Sequence, residues 1–293
     1  GAGGVLGERA GEQTRWGETK KTLRDQLKAL PQQMLLAAAF MTYLAKTPED
    51  ARESATREWI DIVDDARACA RFDFTRLLST ESQLLSWKQS GLPADPLSRE
   101  NAIAIVHSTS RVPFIIDPAN AAGSWLKAHL SETPSRPFES IQSHDARFVN
   151  QVELAVRFGK TLLIFDVDGL EPMLYPLARK DLQNAGPRKI VALGDKQLDF
   201  HENFRMLLVT RNPSPDLPPD AAVLICEVNF TVTRSGLEGQ LLGITIQHEQ
   251  PELESKKSEM LKQEEDFKIE LAALGKKLLE ALATSEGDIL ENT

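Results

Sequence analysis

The sequence predicts an α/β protein: a parallel sheet with its helices, preceded by a helical subdomain and followed by a helix of coiled-coil character. Three observations carry this. After the break at Gly91-Leu92-Pro93, short apolar runs alternate with longer helical patterns, as strands and crossover helices do in a parallel sheet. Before that break, apolar residues fall three and four apart, the spacing of one helix face. After Gln247, apolar residues recur every seventh position in a charged background.

From Arg15 to Tyr43 the residues Leu23, Leu27, Leu30, Met34, Leu35 and Ala38 define an amphipathic helix. It is expected to be interrupted at Pro31, which removes an internal hydrogen bond. Its polar front half reads as the end of an exposed helix. Two further helical patterns occupy Glu49 to Trp87, the first with Trp59, Ile62 and Val63 on one face, the second with Phe72, Phe74, Leu77, Leu78, Leu84, Leu85 and Trp87.

The runs expected to be strands are Ala102 to Val106, Pro113 to Ile116, Thr161 to Phe165, Lys189 to Leu193, Arg205 to Thr210 and Val223 to Val232. Ala121 to Leu130 and Asn150 to Phe158 are helices between them. Gly186-Pro187 and Gly194-Asp195 bracket a β-hairpin inserted between core strands. At the end of the chain Met260, Phe267, Leu274 and Ala281, with Leu271 and Leu278, form a seven-residue seam. A short coiled coil with its partner helix elsewhere is the preferred reading, and an ordinary lid helix is the other.

Composition narrows the function classes. A chain of 293 residues, 41% hydrophobic, suffices for one large or two modest domains. The formal charge of −9 is spread along the chain, which argues against nucleic acid or an anionic membrane as partner. No run approaches the roughly 18 apolar residues of a membrane span, and Gly1 to Gly4 lacks the apolar core of a signal peptide. A soluble, non-secreted protein is expected. Cys69 and Cys226 stand far apart without a CxxC pair, so two buried, reduced thiols are expected rather than a disulfide or zinc site.

Phosphate chemistry requires glycines that let backbone N–H groups wrap the phosphates, a lysine that reaches the outer ones, and a Ser or Thr for Mg²⁺. The turn after Pro113 to Ile116 reads Asp117-Pro118-Ala119-Asn120-Ala121-Ala122-Gly123-Ser124. Ser124 is in place, but Gly123 takes the lysine position and Ala121 a glycine position. Asp117 adds negative charge where phosphate oxygens would sit. The strand Thr161 to Phe165 then delivers Asp166, the carboxylate expected beside a nucleotide's metal. The next position, where a glutamate would activate water, is Val167, which can neither accept a proton nor orient water. Arg205 to Thr210 leads into Arg211-Asn212, where Asn212 is either a sensor of the γ-phosphate or simply a turn former.

Together Asp117, Ser124, Asp166 and Asn212 outline a degenerate nucleotide site, expected to be empty. No catalytic residue and no metal ligand is assigned. The histidines, His107, His129, His144, His201 and His248, follow no triad or ligand spacing. Arg234 reads as a surface arginine rather than an arginine finger.

The segments Trp87-x-x-x-Gly91-Leu92-Pro93, Pro113-Phe114-Ile115-Ile116-Asp117-Pro118, Trp125-Leu126-Lys127, Gly194-Asp195-Lys196, Val228-Asn229-Phe230-Thr231 and Gly236-Leu237-Glu238-Gly239-Gln240-Leu241-Leu242 together resemble the fifth AAA+ module of dynein heavy chains. The resemblance covers nearly the whole chain. Val167-Asp168-Gly169-Leu170-Glu171-Pro172, Thr210-Arg211-Asn212-Pro213 and Thr245-Ile246-Gln247-His248-Glu249 look most like the intraflagellar-transport branch of the cytoplasmic dyneins.

The resemblance implies three parts. Residues 1–87 would be the returning stalk end and the small helical subdomain of the preceding module. Residues 88–235 would be an AAA+ large α/β subdomain with a degenerate P-loop, and residues 236–293 a lid helix and the start of the strut coiled coil. It also implies a non-hydrolysing module coupling ring motion to the stalk, with no cofactor of its own. The parent would be a microtubule-motor ATPase of cytoplasm, cytoskeleton and cilium, with ATP and Mg²⁺ at other modules. Its partners would be neighbouring AAA+ modules, the stalk and strut coiled coils and, through the parent, microtubules, with no nucleic acid and no membrane. A regulatory module retaining weak ATP or ADP binding is the alternative, and a self-associating interaction module a third. The segment Pro213 to Leu224, where a module beside an active ATP site would carry an arginine finger, contains no arginine, which departs from the family pattern and leaves a trans contribution to the neighbouring site an open question.

Overall fold

The computed structural model describes residues 2–63, 72–132, 137–186, 188–232 and 234–284. Cys69 and Pro187 lie outside these, and so do the side chains of Leu278 and Ala281. The chain opens with α1 (Ala2–Ala39), which continues as a π-helical turn, Phe40–Leu44. Helix α1 runs through Pro31 without interruption, which corrects the expected break. Proline removes a single ladder bond, and the turns on either side are held by burial of Ala29, Leu36, Ala37, Phe40 and Leu44.

Three shorter helices follow: α2 (Glu49–Ile62), α3 (Phe74–Leu78) and α4 (Glu81–Gln89). Asp73 caps α3 through the Arg76 N–H, and Thr80 with Gln83 forms a capping box on α4. Helix α5 (Pro96–His107) contains the run Ala102 to Val106, so that expected strand is a helix. Asp95 caps it by accepting the Ser98 N–H at 2.8 Å, and Pro96 sits at its first position. Because α5 is buried over Ala102–Ile105, its apolar run is continuous, and periodicity alone does not separate such a run from a buried strand.

The remaining elements in chain order are β1 (Val112–Ile116), α6 (Ala121–Ser131), β2 (Phe138–Gln142), α7 (Phe148–Phe158), β3 (Thr161–Phe165), α8 (Tyr175–Arg179), β4 (Gln183–Ala185), β5 (Arg188–Leu193), β6 (Lys196–Asp199), β7 (Arg205–Thr210), α9 (Pro219–Leu224), β8 (Ile225–Asn229), α10 (Arg234–Glu249) and α11 (Pro251–Thr284). The five core strands are parallel and ordered β2-β3-β7-β1-β8. Ile115, Leu163, Leu207 and Val209 face one side, against α4, α5 and α6. Phe114, Ile116, Leu162, Ile164 and Leu208 face the other, with α7 and α8. This alternation gives three layers, with both faces of the sheet covered.

Three further expectations change. The edge strand β2 was not anticipated: its half-exposed, polar sequence lacks an apolar run, and only pairing with β3 defines it. The inserted hairpin is a three-stranded antiparallel sheet, β4-β5-β6, and Lys189 to Leu193 belongs to it rather than to the core. Gly194 makes its second turn at φ 58°, a conformation that suits glycine. The run Val223 to Val232 divides, with Val223 and Leu224 ending α9 and the strand stopping at Asn229.

Candidate functional site

The sheet order sets β7 between β1 and β3, so the carboxyl ends of these strands meet at one edge, where ligands bind in open α/β sheets. Ile116 lies opposite Thr210, the Asp117 N–H donates to the Thr210 carbonyl at 2.8 Å, and the Val167 N–H donates to the Val209 carbonyl at 3.2 Å. The topology thereby gathers Asp117 and the start of α6, Asp166, and Asn212, residues far apart in sequence.

Asp117 is buried, with 1% of its surface exposed. Its carboxylate accepts the Ala121 N–H at 3.0 Å through one oxygen and the Gly123 N–H at 2.8 Å through the other. These amides belong to the first turn of α6, where a helix presents unsatisfied donors and the positive end of its dipole. Burial pushes the Asp117 carboxyl above its ordinary range, and the amides of Gly123, Ala121, Ala122 and Asn120 draw it part of the way back. The negative charge at this helix end is therefore supplied by the chain itself.

Gly123 is required by its surroundings. A Cβ at this position would lie 2.7 Å from the Phe165 ring and 2.7 Å from Asn120 Oδ1. The aromatic ring ending β3 thus occupies the space through which a lysine at 123 would pass, and Lys127, one turn later, places its ammonium 4.3 Å from that ring's centre. The Ser124 hydroxyl donates to the Asn120 carbonyl at 2.8 Å, within its own helix.

Asp166 adopts φ 55° and pairs with Arg211, Oδ1 to Nε, at 3.3 Å. Its neighbour Val167 is buried against the apolar core. The Asn212 side-chain oxygen accepts the Ser214 N–H at 3.0 Å, the geometry of a turn former. Arg234 pairs with Glu238 of its own helix, 3.1 Å away.

These residues do not fit a Mg²⁺–triphosphate. The amides that would cradle phosphate hold a carboxylate, the lysine path holds an aromatic ring, and the metal-position aspartate is paired with a guanidinium. Phe165 and Arg211 act here without having been singled out from sequence. Each reads locally as an ordinary strand-end residue, and only the β3–β7 and β3–α6 contacts give it a role.

Residues 85–293 match the family described as the ATP-binding dynein motor region. The chain is 55% identical over 96% of its length to cytoplasmic dynein 2 heavy chain 1 of Chlamydomonas reinhardtii, covering 6% of that protein. It is 52% identical to the protein of that name from Homo sapiens, with the same coverage of both chains. Against the cytoplasmic dynein heavy chain of Drosophila melanogaster the identity is 34% over 96% of this chain and 6% of that relative. The chain thus spans about one sixteenth of the length of these relatives.

Proposed function

Because this chain belongs to the dynein heavy-chain family, we propose that it is a non-hydrolysing AAA+ module of a motor ring, one that passes conformational change to a stalk. The observation that carries this reading is the Asp117 carboxylate holding the Ala121 and Gly123 amides, the groups a phosphate would need. Val167, in the position of the water-activating glutamate, is consistent with it.

In this reading residues 88–235 are the large subdomain of the module. Residues 1–87 are the stalk end and the small subdomain of the preceding module, and residues 236–293 the lid helix and strut start. Helix α1 has 38 residues, a length of about 57 Å at the α-helical rise. Leu23, Leu27, Leu30 and Met34 are exposed along it at the spacing of a coiled-coil seam. On α11, Met260, Phe267, Leu271 and Leu274 are exposed in the same manner. Both stripes suit partner helices of the stalk and strut.

The parent is proposed to be an ATP-driven microtubule motor of intraflagellar transport, working in cytoplasm, cytoskeleton and cilium, with ATP and Mg²⁺ bound at other modules. The higher identity to the dynein 2 relatives than to the Drosophila protein favours this branch. The test is a titration of the purified chain with a fluorescent ATP analogue and Mg²⁺ to millimolar concentration. No saturable binding is expected. Saturable binding that Asp166→Asn abolishes would replace this reading with a nucleotide-binding regulatory module.

A further inference from the structure

The carboxyl end of the long helix is capped across the fold. A helix leaves its last carbonyls without internal donors, and those after α1 and its π-helical turn are satisfied from two other elements. The Ala45 carbonyl accepts Arg52 Nη2 at 2.8 Å and the Asn229 backbone N–H at 3.1 Å. The Lys46 carbonyl accepts Asn229 Nδ2 at 3.4 Å, and the Thr47 carbonyl accepts Arg52 Nε at 2.9 Å. Within the π turn, the Met41 carbonyl accepts the Cys226 thiol at 3.7 Å. The donors come from α2 and from β8, an outer strand of the core sheet.

Arg52 joins these parts. It is 2% exposed, and its remaining contacts reach α5: Glu100 Oε2 at 3.0 Å and Asn101 Oδ1 at 2.7 Å. Asn101, fully buried, donates to the Asn229 carbonyl at 2.7 Å and closes a ring through α2, α5, β8 and the end of α1. The Phe40 ring lies 5.7 Å from the guanidinium carbon. A buried cation adds little net stability over an apolar side chain of similar volume. What the rigid planar fork does supply is fixed direction, since its donors engage four acceptors at once.

The foot of α1 is also held by non-directional contacts, among them Phe40 stacked on Phe74 at 4.1 Å and the buried Ala37 and Leu44. These attach the helix through packing, to which the ring adds hydrogen bonds of fixed direction. The π turn beside the ring is a local departure from α geometry of the kind that marks functional positions.

We infer that Arg52 is a positioning residue that fixes the direction of α1 against the core sheet, so that movement of β8 and α5 is delivered to α1 at the π turn. In a motor, and resting there on the function proposed above, this makes the Arg52–Asn101–Asn229 ring the joint through which the α/β layers steer the stalk-like helix.

The test places spin labels at positions 28 on α1 and 157 on α7, both exposed, through introduced keto side chains that leave Cys69 and Cys226 native. Distances are read by pulsed dipolar spectroscopy. The unsubstituted chain is expected to give one narrow distribution. Arg52→Met and Arg52→Lys are each expected to broaden it about twofold, with the near-ultraviolet circular dichroism of the core retained, because orientation is lost and attachment is not. Asn101→Ala, which keeps the Arg52–Glu100 pair and serves should Arg52→Met fail to fold, is expected to broaden it likewise. A distribution as narrow as the parent's in Asn101→Ala, or full recovery by Arg52→Lys, would overturn the inference. A motor carrying Arg52→Lys is expected to lose microtubule-stimulated turnover and keep its basal rate. Broadened distances with stimulation intact would leave the positioning role standing and sink the coupling function.

Discussion

The Asp117 carboxylate accepts the Gly123 N–H at 2.8 Å, so the residue that follows β1 provides the anion for which the start of α6 is suited. The site differs in this from one that has merely lost a lysine. Its donors are engaged, and restoring one missing group leaves the others committed.

Gly123→Lys should therefore fail to restore nucleotide binding. The new Cβ would meet the Phe165 ring at 2.7 Å, and overpacking of this kind costs about 1–3 kcal/mol. A lowered urea midpoint together with an unchanged, flat ATP-analogue titration is the expected result. Saturable binding by this single variant would show that Phe165 and Asp117 yield readily.

Asp117 makes stability pH-dependent in a direction its burial sets. Its folded pKa is raised above the ordinary 3.8, so the folded chain holds this proton more tightly than the unfolded one. The contribution is fully present below the unfolded pKa and is lost as pH rises through the folded value. Urea unfolding of the parent and of Asp117→Asn should thus diverge in the variant's favour as pH rises across that window, and run parallel above it. A gap that moves the other way would mean the amide hydrogen bonds outweigh burial.

Asp166 sits at φ 55°, where Asn is tolerated and a β-branched residue is not. Asp166→Asn breaks a partly exposed ion pair with Arg211 and should change stability by less than about 1 kcal/mol. Asp166→Val should cost about 1–3 kcal/mol through backbone strain. Chemical denaturation of the two variants measures the difference. Equal costs would assign the residue's weight to its charge instead.

The exposed stripe Met260, Phe267, Leu271 and Leu274 on α11 should make the purified chain associate with itself when no other partner helix is supplied. Sedimentation velocity over a range of concentrations is expected to show reversible association, and the double variant Phe267→Glu, Leu271→Lys is expected to remain monomeric. A parent chain that stays monomeric throughout would argue that this stripe is not a self-association seam.

Much of the fold was legible because burial leaves a local mark. The strand β3 is buried throughout and β1 and β7 are buried past their first residue, so all three read as apolar runs. The same mark misled at Ala102 to Val106, where a buried helix writes an equally continuous run, and was missing at β2, whose edge position needs little apolar surface. The site's losses at Gly123 and Val167 were visible because they are substitutions at fixed offsets from a strand.

The sequence by itself determined the α/β class, the core strands β1, β3 and β7, the family resemblance and the absence of the lysine and glutamate that phosphate chemistry needs. Those properties depend on residue identity and short-range spacing. Only the tertiary structure decided that the Asp117 carboxylate holds the amides at the start of α6, that Phe165 closes the lysine path, that Arg211 holds Asp166 and that Arg52 ties α2 to α5 and to the end of α1. The last three rest on contacts between elements well separated along the chain, Arg52 with Asn101 being 49 residues apart, and such pairings arise when the layers pack, whereas Asp117 and Gly123 stand only 6 apart and meet through the turn between β1 and α6.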